Sequence, residues 1–108
     1  MPTLLTLDTA RRDDGKLVLV AEGEIDLSNV DAFTQALTKA ITETADGDEK
    51  LTVDLSTVKY LDSAAVNALF NYADQIQLVV HPFLTRIFTI TGLDELTTVK
   101  SASPETPG

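Results

Sequence analysis

The feature that most constrains the fold is a change of hydrophobic period at residue 28. In "SNVDAFTQALTKAITETA" (28–45), Val30, Phe33, Leu37, Ala40, Ile41 and Ala45 recur at three- and four-residue steps and so line one face of a helix. Before it, "TLLTLD" (3–8) and "KLVLVAE" (16–22) are short and β-rich, and the polar "ARRDDG" between them ends in glycine, which reads as a hairpin with a long loop. After it, "LTVDL" (51–55) reads as a strand and "STVKYLD" leads into a second helix that turns Val66, Leu69, Phe70 and Ala73 inward. "IQLVV" (76–80) is a compact apolar strand. Pro82 then suits the first turn of a third helix, with Phe83, Leu84, Ile87, Phe88 and Ile90 as its apolar stripe and Gly92 as its C-terminal cap. "LTTVK" (96–100) is a short last strand. Two strands followed by alternating helix and strand define an α/β fold: a mixed, mostly parallel sheet of four to five strands with helices packed on it.

A chain of 108 residues, 44% of them hydrophobic, suits one domain with one core. Residues 1–100 are expected to form it, and "SASPETPG" (101–108) has the Ser, Pro and Gly content of a flexible tail. Phe33, Leu37, Ile41, Leu69, Phe70 and Phe88 are the expected large core residues. Seventeen Asp and Glu against eight Lys and Arg give a net charge of −9, which disfavours nucleic acid and anionic lipid as partners. The lack of cysteine removes disulfides, thiolate metal sites and thiol catalysis together, and fits a reducing compartment. No apolar run is long enough to span a bilayer, and "MPTLLTLDTARRDD" lacks a basic segment ahead of a long apolar one, so the expected location is the cytoplasm.

Within "KYLDSAAVNALF" (59–70) a serine stands directly behind an acidic residue at a helix start. Such a serine can cap the helix, attack a substrate or accept a phosphate. Asp62 can itself be the N-cap, which leaves Ser63 at the first helical position with its hydroxyl toward solvent. A phosphate there would find unpaired backbone N–H groups and the positive end of the helix dipole. Ser28 with Asp31 three residues on makes a candidate capping box for the first helix, while Ser56 and Thr57 read as turn formers. His81, the only histidine, reads as a turn residue ahead of Pro82. Ser63, His81 and an aspartate form a hydrolytic triad on paper, yet no G-x-S-x-G elbow and no phosphate-cradling glycine loop accompanies them. The aspartates of "RRDDG" and "DGD" lack calcium-loop spacing, so no metal and no cofactor is expected.

"GEIDLSNVDAFTQAL", "LTVDLSTVKYLDSAAV" and "VVHPFLTRIFTITGLDELTTV" together resemble the STAS domain, the family of bacterial anti-sigma factor antagonists and sulfate-transporter tails. The resemblance covers about residues 3 to 100, and its most specific element is the Asp-Ser step before the second helix. It implies a small non-enzymatic α/β domain that binds an anti-sigma factor with serine-protein kinase activity and thereby controls transcription. That kinase phosphorylates the serine after the acidic residue, here Ser63, and only the unphosphorylated antagonist holds the kinase. The implied partner-binding residues are Asp26, Asp62, Ser63, Ala64 and Ala65. For Asp26 the competing reading is a solvated carboxylate at a strand end. Family members commonly follow the phosphoacceptor with serine and glycine, where this chain has Ala64 and Ala65. The connection "FNYADQIQLVV" is short by about one helical turn, which makes a swapped dimer the alternative to the expected monomer. A non-switching scaffold or ligand-sensing STAS module is the second functional reading, and a small hydrolase the third.

Overall fold

The computed structural model describes residues 4–11, 16–44, 50–95 and 97–101. Strands β1 (Leu5–Arg11) and β2 (Leu17–Ile25) form the hairpin expected from their composition, antiparallel with Leu5 opposite Gly23 and Arg11 opposite Leu17. Helix α1 (Val30–Glu43) crosses to β3 (Leu51–Leu61), α2 (Ser63–Asn71) to β4 (Ile76–Val80), and α3 (Pro82–Thr91) to β5 (Thr98–Ser101). The sheet order is β1-β2-β3-β4-β5, and each pairing after the hairpin is parallel. Right-handed crossovers in an unreversed strand order put all three helices on one face of the sheet.

Burial follows from that arrangement. On the covered face Leu17, Leu19 and Ala21 of β2, Leu51, Val53 and Leu55 of β3, and Ile76, Leu78 and Val80 of β4 meet Phe33, Leu37, Leu69 and Phe88 from the helices. Ile41 and Phe70 are half-buried and pack against this core. The alternate residues are more polar, with Gln77 Nε2 donating to Thr52 Oγ1 at 2.9 Å across β4 and β3. Gly23 has φ +109, and a Cβ there would lie 2.4 Å from the Leu4 carbonyl oxygen. That oxygen instead accepts the Glu24 N–H at 3.0 Å, so glycine lets the start of β1 close down on β2.

Several elements differ from their sequence-based outlines. β3 runs on through "STVKYL" to Leu61, its register against β2 shifting between Val20 and Glu22 and again between Gly23 and Glu24. These irregularities carry the strand through residues whose alternation is broken. β1 extends to Arg11, and helix α1 starts at Val30 with Asn29 at its N-cap, so Ser28 and Asp31 form no capping box. Ser28 donates its hydroxyl and its N–H to Asp26 Oδ1 instead. In α3, Leu84 and Phe88 are buried, but Phe83 and Ile90 are 85% and 75% exposed. The short link after α2 is closed within the chain by a 3₁₀ turn, Ala73–Gln75, and β4 pairs with the chain's own β3. Gly92 caps α3 in the left-handed conformation at φ 81, as expected. The expected tail beyond Ser101 lies outside the described residues, as do the aspartates of "RRDDG" and "DGD".

Candidate functional site

The Asp-Ser step lies where β3 ends beside the end of β2. Leu61 is buried and pairs with Ile25, and Asp62 N–H donates to the Ile25 carbonyl at 3.2 Å. Asp62 then occupies the N-cap position of α2 with an extended backbone, and its two carboxylate oxygens do separate work. Oδ1 accepts the Ala65 N–H at 3.1 Å, closing the first turn of the helix. Oδ2 accepts the Leu27 N–H at 2.9 Å, tying down the loop between β2 and α1. One side chain therefore fixes both segments.

That loop is further held by its own polar residues. Asp26 N–H donates to Asn29 Oδ1 at 3.0 Å, Asn29 Nδ2 donates to the Glu24 carbonyl at 2.9 Å, and Asp26 Oδ1 accepts from Ser28 N at 2.9 Å and Ser28 Oγ at 2.5 Å. Asp26 is half-buried within this turn, and Leu27 is 78% exposed at its tip.

Because Asp62 performs the capping, Ser63 is released from it. Ser63 is the first residue of α2, exposed, and its hydroxyl makes no hydrogen bond to the described residues. The N–H groups of Ser63 and Ala64 likewise have no acceptor among the described residues, so donors and the helix dipole face solvent there. Ala64 is half-buried and Ala65 fully buried under the helix start. Thus the structure brings Asp26, Asp62, Ser63, Ala64 and Ala65 to one end of the sheet through the Asp62 bridge. Leu27 and Asn29 were not singled out from the sequence; an Asx-rich turn, "DLSN", was the only signal for them.

His81 stands at the N-cap of α3, where its Nδ1 accepts the Phe83 N–H at 3.1 Å. Ser56 donates its N–H and hydroxyl to Asp54 Oδ1 at 2.9 and 2.6 Å, and Thr57 Oγ1 donates to the Ala21 carbonyl at 3.3 Å. All three are local structural bonds. Among the described residues no group of three His, Cys, Asp or Glu side chains could hold a metal ion, and no helix is long and apolar enough to cross a membrane.

An α/β sheet with one antiparallel hairpin edge, three crossover helices and an Asp-capped helix bearing an exposed serine defines a class of small STAS-like domains. The family model described as "Mlab, STAS domain" matches residues 9–98, and the chain belongs to the STAS family. Its fold is similar to that of an anti-sigma factor antagonist from Mycobacterium paratuberculosis, with a TM-score of 0.78 and 25% identity over 90% of this chain and 86% of that one. It is also similar to the anti-sigma factor antagonist SpoIIAA in its unphosphorylated form, at TM-score 0.66 and 17% identity over 94% and 90% of the two chains. A third similar structure, a putative anti-sigma factor antagonist from Thermotoga maritima, gives 0.65 and 16% over 91% and 87%.

Proposed function

We propose that this protein is a cytoplasmic anti-sigma factor antagonist that binds an anti-sigma factor with serine-protein kinase activity and is switched off by phosphorylation of Ser63. The observation that carries the proposal is the division of labour at the start of α2. Asp62 takes the cap, and Ser63 is left exposed with a hydroxyl that has no structural duty. A phosphoryl group on Ser63 would add roughly −1.5 to −2 charge at neutral pH. It would stand next to Asp62 and on the same end of the sheet as Asp26, in a chain that already carries −9. Repulsion and desolvation at a closely packed interface can then lower affinity on the order of a thousandfold without any rearrangement of the fold. Asp26, Asp62, Ser63, Ala64 and Ala65 would form the contact surface, with the protein acting by binding alone and as a monomer. The chain has no need of catalysis in this reading: the kinase supplies the chemistry and the antagonist the hydroxyl.

A second reading, a STAS module that binds its partner without switching, is favoured by one local observation. Ala65 is completely buried and Ala64 half-buried, so the helix start lacks the open backbone that glycine would offer a kinase active site. Incubation with each candidate anti-sigma kinase and ATP, followed by intact-mass analysis, separates the two. A single added phosphate mapped to Ser63 is the expected result, whereas absence of phosphate with every kinase that binds the protein would leave the non-switching module. Calorimetric titration against the cognate kinase should rank Ser63→Ala at or above the unmodified protein, then Ser63→Glu, then phospho-Ser63. Equal affinities for unmodified, Ser63→Glu and phosphorylated forms would eliminate the switch.

A further inference from the structure

A concave feature opens between the second half of β3 and the start of α3. β4 pairs with β3 only from Leu51 opposite Ile76 to Leu55 opposite Val80, after which the chain turns away at His81 into α3. β3 continues for six more residues with no strand on that side, and the space so opened is a groove of about 420 Å³. Ser56, Thr57, Val58 and Lys59 line it from β3, and His81, Phe83 and Leu84 from the start of α3. The volume falls within the roughly 300–1,000 Å³ of small-molecule sites.

Three observations say what would fill it. The first is apolar: Val58 and Leu84 form a buried floor, and Phe83 is 85% exposed beside it, its ring centroid 4.7 Å from that of His81. The second is charge. In a chain of net charge −9 none of the lining residues is acidic, and α3 contains no acidic residue along its length. Asp54, the carboxylate behind Ser56, already accepts two hydrogen bonds from that residue. Lys59 makes no ion pair or hydrogen bond to the described residues, so its charge is uncompensated within them. The third is the histidine tautomer. Because Nδ1 accepts the Phe83 N–H, neutral His81 carries its proton on Nε2, which is left as a donor without a partner among the described residues.

We infer that this groove binds a small amphiphilic carboxylate, its apolar chain against Val58, Phe83 and Leu84 and its carboxylate at Lys59 and the His81 Nε2–H. The uncompensated cation and the exposed ring become one recognition element, since each supplies what the other half of such a ligand lacks. The inference is independent of whether Ser63 is phosphorylated, because no residue of the groove belongs to the Asp62 cap or the loop it holds.

Octanoate is a suitable probe, with octanol presenting the same chain without charge and acetate the charge without the chain. Amide chemical-shift titration of the full chain should give saturable shifts at residues 56–59 and 81–84 with octanoate, at a Kd of about 1 mM or tighter. Octanol should bind more weakly at the same residues, and acetate should produce no saturable shift. Lys59→Gln, an exposed substitution, should weaken octanoate about tenfold while leaving octanol unchanged, and Phe83→Ala should weaken both. Absence of saturable octanoate shifts, equal binding of octanol and octanoate, or shifts centred on Leu27 and Ser63 instead of the groove would each overturn the inference.

Discussion

Helices α2 and α3 begin in the same way and end up with opposite surfaces. Each follows a parallel strand, each has an extended N-cap residue, and each cap side chain accepts a backbone N–H of the first turn. At α2 the acceptor is a carboxylate, Asp62, and the residue after it is a small exposed hydroxyl. At α3 the acceptor is an imidazole, His81, followed by Pro82 and the exposed ring of Phe83. The backbone geometry sets where a helix start faces solvent, and the cap residue sets what can approach it. A carboxylate cap leaves the first N–H groups of α2 open but makes an added phosphate a close neighbour of fixed negative charge; an imidazole cap leaves an N–H and an apolar wall open to an anion.

The comparison can be broken first at the anchors. Leu69 of α2 is completely buried in the core, so Leu69→Ala should cost about 2–5 kcal/mol. Phe83→Ala, which removes a larger side chain from α3, should stay within about 0.5 kcal/mol because that ring is mostly in water. Denaturant unfolding of both variants decides it: an unchanged midpoint for Leu69→Ala would mean that α2 does not hold Ser63 where it is described. The caps come next. Asp62→Ala removes the acceptor of two backbone N–H groups, from Ala65 and Leu27, and should cost about 1–2 kcal/mol. Asn caps helices well, but its amide presents only one oxygen, so Asp62→Asn keeps one of those bonds and should cost about half as much. Equal midpoints for the Asn and wild-type proteins would show that the Leu27 bond contributes nothing. His81→Ala should be milder, about 0.5–1 kcal/mol, since it loses one acceptor at a helix start where Pro82 has no N–H to satisfy. The smallest effect is expected at Ser63→Ala, within about 0.5 kcal/mol, because that hydroxyl bonds to nothing described. A larger loss there would return Ser63 to a capping role.

Much of this was legible where a single physical rule governs. Periodicity placed all three helices, Gly92 and Pro82 marked the ends of α3, and the Asp-Ser pair ahead of an apolar three-to-four step marked the start of α2 while leaving open which of the two residues caps it. What was not legible depended on partners distant in sequence. The continuation of β3 through Ser56 to Leu61 rests on register shifts against β2, which break the alternation by which a strand is read from its own sequence. The Ser28 capping box had the right spacing but lost to the Asx turn of Asp26 and Asn29, in which the Ser28 hydroxyl already has an acceptor. Apolar spacing alone assigned Phe83 and Ile90 to the interior, because a helix lying on the edge of a sheet has more apolar positions than neighbours to cover them.

The bond from Leu27 N–H to Asp62 spans 35 residues of sequence, and its consequence lies in the thermodynamics of association. The turn at residues 26–29 loses its conformational freedom when the protein folds, so a partner docking on that end of the sheet does not have to order it again. A modest contact area can then suffice for firm binding, and lengthening the turn by insertion would act chiefly on how long the complex lives, even if every side chain that touches the partner were kept.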